Sequence, residues 1–151
     1  MEHVMNVVRL QVEQMLACKE ENEHEQLKII KASLTKLIRR WCDTKPIVFV
    51  SEKAEKRADE LEVDLFETHW KDQPKFDSGR KIFHLEHKYA VSDMIKDMLK
   101  ETQSVEKIFE KYEQGWILKC EDSRLKKMNR INSDLEYQNA KIKLRYRVDK
   151  L

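Results

Sequence analysis

The sequence predicts an α+β fold, a helix-rich single domain with N-terminal helices and a small β-sheet. Three observations carry that expectation. Apolar residues recur at helical spacing through the first 41 residues; short β-branched or alternating runs follow at 46–50, 81–88 and 116–120; and only two glycines and two prolines interrupt 151 residues. A chain of this length buries roughly two-thirds of the surface its unfolded form exposes, enough for one core without covalent staples. Three parts are expected within the domain 1–151: a helical part over 1–43, a mixed α/β part over 46–120, and a basic part over 121–151.

Val4, Val7, Val8, Val12, Met15 and Leu16 share one helical face, as do Leu27, Ile30, Leu34, Leu37, Ile38 and Trp41. The polar stretch Lys19 to Glu25 between them holds no helix breaker, so either two helices or one long bent helix is expected. The stripe over 27–41 resembles a short heptad seam, which packs within the domain or against a second copy in a homodimer.

Pro46 ends this pattern. Residues 46–50, PIVFV, are β-branched and aromatic and read as a buried strand. Ser51 is placed to cap a helix over 52–62 with Ala54, Ala58 and Leu61 inward. After a turn at Asp77-Ser78-Gly79, residues 81–88 fit a period of two: Ile82, His84, Glu86 and Lys88 on one strand face, Phe83, Leu85 and His87 on the other. Ser92 is expected to cap a helix over 93–101 and Ser104 one over 105–113, with Gly115 ending the latter. WILKC at 116–120 reads as a further strand.

The C-terminal segment carries two signals. Ser133-Asp134-Leu135-Glu136 has the form of a capping box and predicts a helix from about 134. Lys141 to Val148, KIKLRYRV, alternates basic and apolar residues as a half-exposed strand does, and as a strand it lines Lys141, Lys143, Arg145 and Arg147 along one face.

Charge and composition exclude several classes. Charged residues make up 38% and hydrophobic ones 40%, and the apolar periodicity persists throughout, which argues for order. Cys18, Cys42 and Cys120 are widely spaced with no CxxC pair and no signal peptide before them. Reduced thiols in a cytoplasmic protein are therefore expected, without a cysteine zinc site. No apolar run approaches the length of a membrane span. Two glycines leave no P-loop or dinucleotide fingerprint, and no G-x-S-x-G occurs. Residues 1–30 hold six acids against three bases, whereas 124–151 hold nine bases against three acids. The basic end fits either an anionic partner or a solvated surface.

Residues 69–88, HWKDQPKFDSGRKIFHLEHK, gather three of the five histidines with Asp72, Asp77 and Glu86. Carboxylates and imidazoles bind divalent ions, which activate water and neutralise charge on a phosphoryl group. Asp77 followed by Glu86-His87-Lys88 resembles the PD-(D/E)xK nucleases over about a dozen residues. That resemblance implies Asp77 and Glu86 as metal ligands and Lys88 as the catalytic lysine, although the proline of that pattern stands here at Pro74. Glu86-His87, preceded by Phe83 to Leu85, is similar to the opening of HNH nucleases and implies His87 as general base and Glu86 as ligand. The later asparagine and histidine of that motif are missing at the usual distance.

The two resemblances require different geometries, because strand alternation groups His84, Glu86 and Lys88 and sends His87 to the other face. Each residue also has a structural reading: a hydrogen-bonded packing histidine for His84 or His87, a turn residue for Asp77, an ion-pair partner for Arg80. Two functions follow as expectations. One is a metal-dependent nuclease of bacterial or phage type using Mg²⁺ or Mn²⁺, with Arg80 and the basic C-terminal residues on phosphates and Tyr146 among them to stack on a base. The other is a non-enzymatic interaction protein, such as a phage-encoded inhibitor or regulator bound to a larger protein. A DNA-binding module without catalysis, resting on residues 126–150, ranks third.

Overall fold

A computed structural model describes residues 2–101, 103–125 and 133–148. The elements run α1 (Glu2–Glu20), α2 (His24–Cys42), β1 (Phe49–Ser51), α3 (Glu52–Asp59), β2 (Phe83–His87), α4 (Val91–Met98), α5 (Val105–Glu110), β3 (Gln114–Leu118), α6 (Lys119–Leu125), α7 (Ser133–Asn139) and β4 (Leu144–Tyr146). Helices dominate and the strands form one small mixed sheet, the α+β class expected from the sequence. The chain divides into two compact units, Met1–Lys45 with Tyr89–Tyr112, and Pro46–Lys88 with Glu113–Leu151.

The first unit is helical. The apolar faces of α1 and α2 meet those of α4 and α5 around Val8, Met15, Leu34, Ile38, Met94 and Ile108. Trp41 meets Phe109 edge-on at 4.4 Å between ring centroids, a geometry that adds to the area both rings bury. Asn22, with φ +58°, separates α1 from α2 as two helices. Within the stripe 27–41, Leu34, Ile38 and Trp41 are buried in this core and Leu27, Ile30 and Leu37 pack half-buried against it.

Ser92 does not cap α4: Ala90 takes the cap position in extended backbone (φ −64°, ψ 140°), and its carbonyl accepts from Asp93 and Met94. Val91 packs against the helical core, so the helix begins one residue before the serine. Ser104 does cap α5, its hydroxyl accepting from the Lys107 amide.

The second unit carries the sheet, ordered β2-β3-β1-β4, with β1 parallel to β3 and the other pairs antiparallel. Val50, Phe83 and Trp116 are buried on one face with Ala54 and Ala58 of α3. Phe49 and Ile117 are buried on the opposite face with Leu125 of α6 and Tyr137 of α7. Ser51 ends β1 and caps α3 as expected, its hydroxyl accepting from the Ala54 amide at 3.1 Å.

Gly115 lies inside β3 and does not end a helix. A Cβ there would sit 2.1 Å from the Phe49 carbonyl oxygen and 2.3 Å from its ring, so this strand position has room for hydrogen only. The strand expected over 116–120 turns into α6 at Lys119. At the C-terminus both signals hold in sequence. The capping-box segment forms α7, and Lys141 ends it in the left-handed region (φ +53°). The Ile142 amide donates to Tyr137 and the Lys141 amide to Gln138, the two bonds of a Schellman stop. Only 144–146 of the alternating run remains as strand. Lys126, Lys127, Arg130 and Lys150 lie outside the described residues. Among the described residues no helix is long and apolar enough to cross a membrane.

Gly115→Ala is expected to cost about 3 kcal/mol, because either β1 or the Phe49 ring must move; urea denaturation measures it. A second expectation concerns the thiols. Burial pushes the Cys42 thiol up to about 11, the Tyr112 hydroxyl opposing the shift. Cys18 is also buried, whereas Cys120 is exposed. Iodoacetamide near neutral pH should therefore modify Cys120 well before the other two, as peptide mass mapping would show.

Candidate metal centre

Alternation along β2 places His84 and Glu86 on the face that α6 and α7 cover, opposite Ile117 and Gly115 of β3. α6 brings Asp122 to the same place. Its start is fixed by Glu121, a buried carboxylate whose Oε2 accepts from the Leu118 amide at 2.9 Å and from the Ser51 hydroxyl at 2.6 Å. With Glu121 so engaged, the neighbouring Asp122 turns toward β2.

His84, Glu86 and Asp122 each offer a ligand atom, and the three atoms lie within 4.8 Å of one another. His84 Nε2 stands 3.6 Å from Glu86 Oε2 and 3.6 Å from Asp122 Oδ1, beyond hydrogen-bond contact. The carboxylate side chains are 4% and 7% exposed and the imidazole 32%, so the cluster opens to solvent on the histidine side. Ligand-to-metal distances of about 2.1 Å limit donors to separations near 4.2 Å, so a small contraction brings all three onto one ion. The cluster can hold a metal ion.

The remaining sequence-derived site residues sit elsewhere or are otherwise engaged. Asp77 is not in the cluster. Its carboxylate is buried and accepts from the amides of Lys81 (2.8 Å), Ile82 (3.1 Å) and Phe83 (2.9 Å) and from the Gln73 side chain (2.9 Å). It closes the loop that leads into β2, which is structural work of the kind acidic turn residues perform. Burial raises its pKa, but the Phe83, Gln73, Ile82 and Lys81 donors outweigh that and hold the carboxyl below its usual range.

Lys88 continues the Glu86 face, where Asp134 and the Tyr146 hydroxyl each hold its ammonium at 2.7 Å and Glu113 lies at 3.4 Å. Burial lowers its pKa, while Asp134, Tyr146 and Glu113 together raise it well above the ordinary lysine value. It stays charged and ties α7 and β4 to β2. His87 falls on the opposite strand face with Phe83 and Leu85. His69 caps the 3-10 segment Trp70–Lys75 by accepting from the Lys71 amide.

Among the residues expected to bind nucleic acid, Arg80 lies 5.0 Å over the Trp70 ring and has no acid partner among the described residues. Lys143 pairs with Glu52 at 3.8 Å, Arg145 with Glu55 at 2.5 Å, and Arg147 with Glu67. Lys141 is exposed at the stop of α7. The basic face of 141–147 is thus largely matched by acids of its own unit.

Asp122 was not singled out from the sequence. Its one signal is the acidic pair Glu121-Asp122 just after the apolar run Trp116-Ile117-Leu118, where a helix in place of continued strand returns the pair over the sheet. Comparison of the chain with protein-family models, with curated proteins and with solved structures finds no match.

A pH experiment tests the place of Asp77. Its folded pKa lies below the unfolded value of about 3.9. The stabilisation it provides is therefore present above that value and lost as pH falls through the depressed folded pKa. Asp77→Asn should lower stability at neutral pH and flatten the acid limb of a denaturation-versus-pH curve. An unchanged limb would refute the assignment.

Proposed function

We propose that the protein is a metal-dependent nuclease of bacterial or phage type, hydrolysing phosphodiester bonds at the cluster of His84, Glu86 and Asp122. The observation that supports this reading is the spacing of the three donors: two buried carboxylates and a half-exposed imidazole whose ligand atoms lie within 4.8 Å of one another. Buried acids placed this way tolerate each other best when a cation lies between them. A divalent ion bound there supplies an activated water and offsets charge on a phosphoryl oxygen. Glu86 and Asp122 hold it from the protein side, and His84 completes the donor set at the solvent opening. One imidazole among carboxylates suits Mn²⁺ better than Mg²⁺.

In this reading Lys88 does not meet the phosphate, because its ammonium is held by Asp134 and Tyr146. Arg80 has no acid partner among the described residues, but it stacks on Trp70, which packs with Val50, Phe83 and Trp116 on the sheet face opposite the cluster.

Incubation with plasmid DNA or with RNA tests the proposal. Cleavage is expected with Mn²⁺ and not with EDTA. Glu86→Gln and Asp122→Asn should each lower the rate by more than about 100-fold, beyond the effect of losing an outer-shell partner. Equal cleavage by wild type and Glu86→Gln would sink the site.

A second reading, a non-enzymatic interaction protein such as an inhibitor of a nucleic-acid-handling complex, is favoured by the pairing of Lys143, Arg145 and Arg147 with Glu52, Glu55 and Glu67. A basic strand neutralised internally offers little to phosphates. A stoichiometric complex with a larger protein that is indifferent to EDTA would select this reading.

A further inference from the structure

We infer that Tyr137 is a positioning residue for the metal centre, a role that rests on the metal-centre reading above. The two oxygens of Glu86 are divided between two directions. Oε1 accepts from the Tyr137 hydroxyl at 2.9 Å, and Oε2 is the atom facing His84. The last torsion of a glutamate is broad and roughly two-fold, so an untethered carboxylate would present either oxygen, or neither, to the cluster. The phenol removes that freedom and leaves one oxygen aimed at the cation position.

Tyr137 cannot follow Glu86 to another rotamer, because its own place is fixed from three sides. Its ring is buried and meets Phe49 edge-on at 6.4 Å. The Lys88 ammonium lies 6.0 Å over the same ring. α7, which carries it, is tied to β2 one turn earlier by the 2.7 Å ion pair of Asp134 with Lys88. Lys88, implied by the PD-(D/E)xK resemblance to be catalytic, therefore serves the site from outside by holding the helix that holds the ligand. Outer-shell hydrogen bonds of this kind set ligand orientation and basicity, and their loss typically costs about 10–100-fold in metal affinity. A tyrosine that merely packs would alter stability on losing its hydroxyl and leave metal affinity unchanged.

Calorimetric titration of the full chain with Mn²⁺ separates these cases, using wild type, Tyr137→Phe and Glu86→Gln, with metal-free thermal midpoints measured alongside. Tyr137→Phe keeps the ring against Phe49 and Lys88. It should bind Mn²⁺ about 10–100-fold more weakly than wild type, with a metal-free midpoint within a few degrees, whereas Glu86→Gln should lose binding. Wild-type affinity in Tyr137→Phe, with Glu86→Gln still deficient, overturns the role of Tyr137 and leaves the metal centre standing. A wild type that takes no Mn²⁺, or a Glu86→Gln that binds like wild type, removes the centre and this role with it. Should Tyr137→Phe not fold, amide exchange of the wild type decides: Mn²⁺ should raise protection over 133–139, and unchanged protection overturns the inference.

Discussion

The close approach of β1 to β3 at Gly115 is the constraint on which the sheet unit turns. A methyl group at that position would overlap both the carbonyl oxygen and the ring of Phe49. The glycine lets the ring settle onto the β3 backbone, where it packs with Ile117, Leu125 and Tyr137 in the core on that sheet face. Tyr137 rests edge-on against that ring and reaches Glu86. The site's geometry thus descends from a missing side chain, by way of an aromatic contact, to a carboxylate. Gly115 and Glu86 are also direct cross-strand neighbours, so the same position shapes both the packing and the polar cluster beside it.

Charge is handled locally throughout this unit. Asp77 has its carboxylate filled by three backbone amides and Gln73, Glu121 by Ser51 and Leu118, and Lys88 by Asp134 and Tyr146. A buried charge with a full set of donors or acceptors costs far less than a bare one. In the cluster, Glu86 Oε1 likewise accepts from the Tyr137 hydroxyl at 2.9 Å, and Glu86 Oε2 and Asp122 Oδ1 each stand 3.6 Å from His84 Nε2.

Much of the architecture was legible because its cause is local. The helical faces of α1 and α2, the Ser51 and Ser104 caps, and the grouping of His84 with Glu86 and Lys88 follow from spacing along the chain. What was not legible depends on residues far apart in sequence. Gly115 looks like a helix stop until Phe49 is seen against it. Asp77 looks like a ligand until the amides of 81–83 are seen to enclose it. Asp122 gained its place only from the return of α6 over β2, and the mixed run 141–148 is divided by a left-handed residue, Lys141, whose side chain gives no sign of it. The density of reactive side chains in 69–88 led to the strand that carries two of the three cluster residues, and was a poor guide to which of them converge.

The order β2-β3-β1-β4 also governs the sequence of events during synthesis. β1 and β2 are not neighbours, and β3, which pairs with both, follows them in the chain. Every helix of the first unit precedes residue 114, so a ribosome can deliver that unit whole while two strands still lack a hydrogen-bonding partner. The nascent chain therefore carries open strand edges from the synthesis of β1 until β3 follows, the condition under which β segments pair wrongly. The brevity of β1, three residues at Phe49–Ser51, limits that exposure, since so short an edge gives a stray strand little to grip.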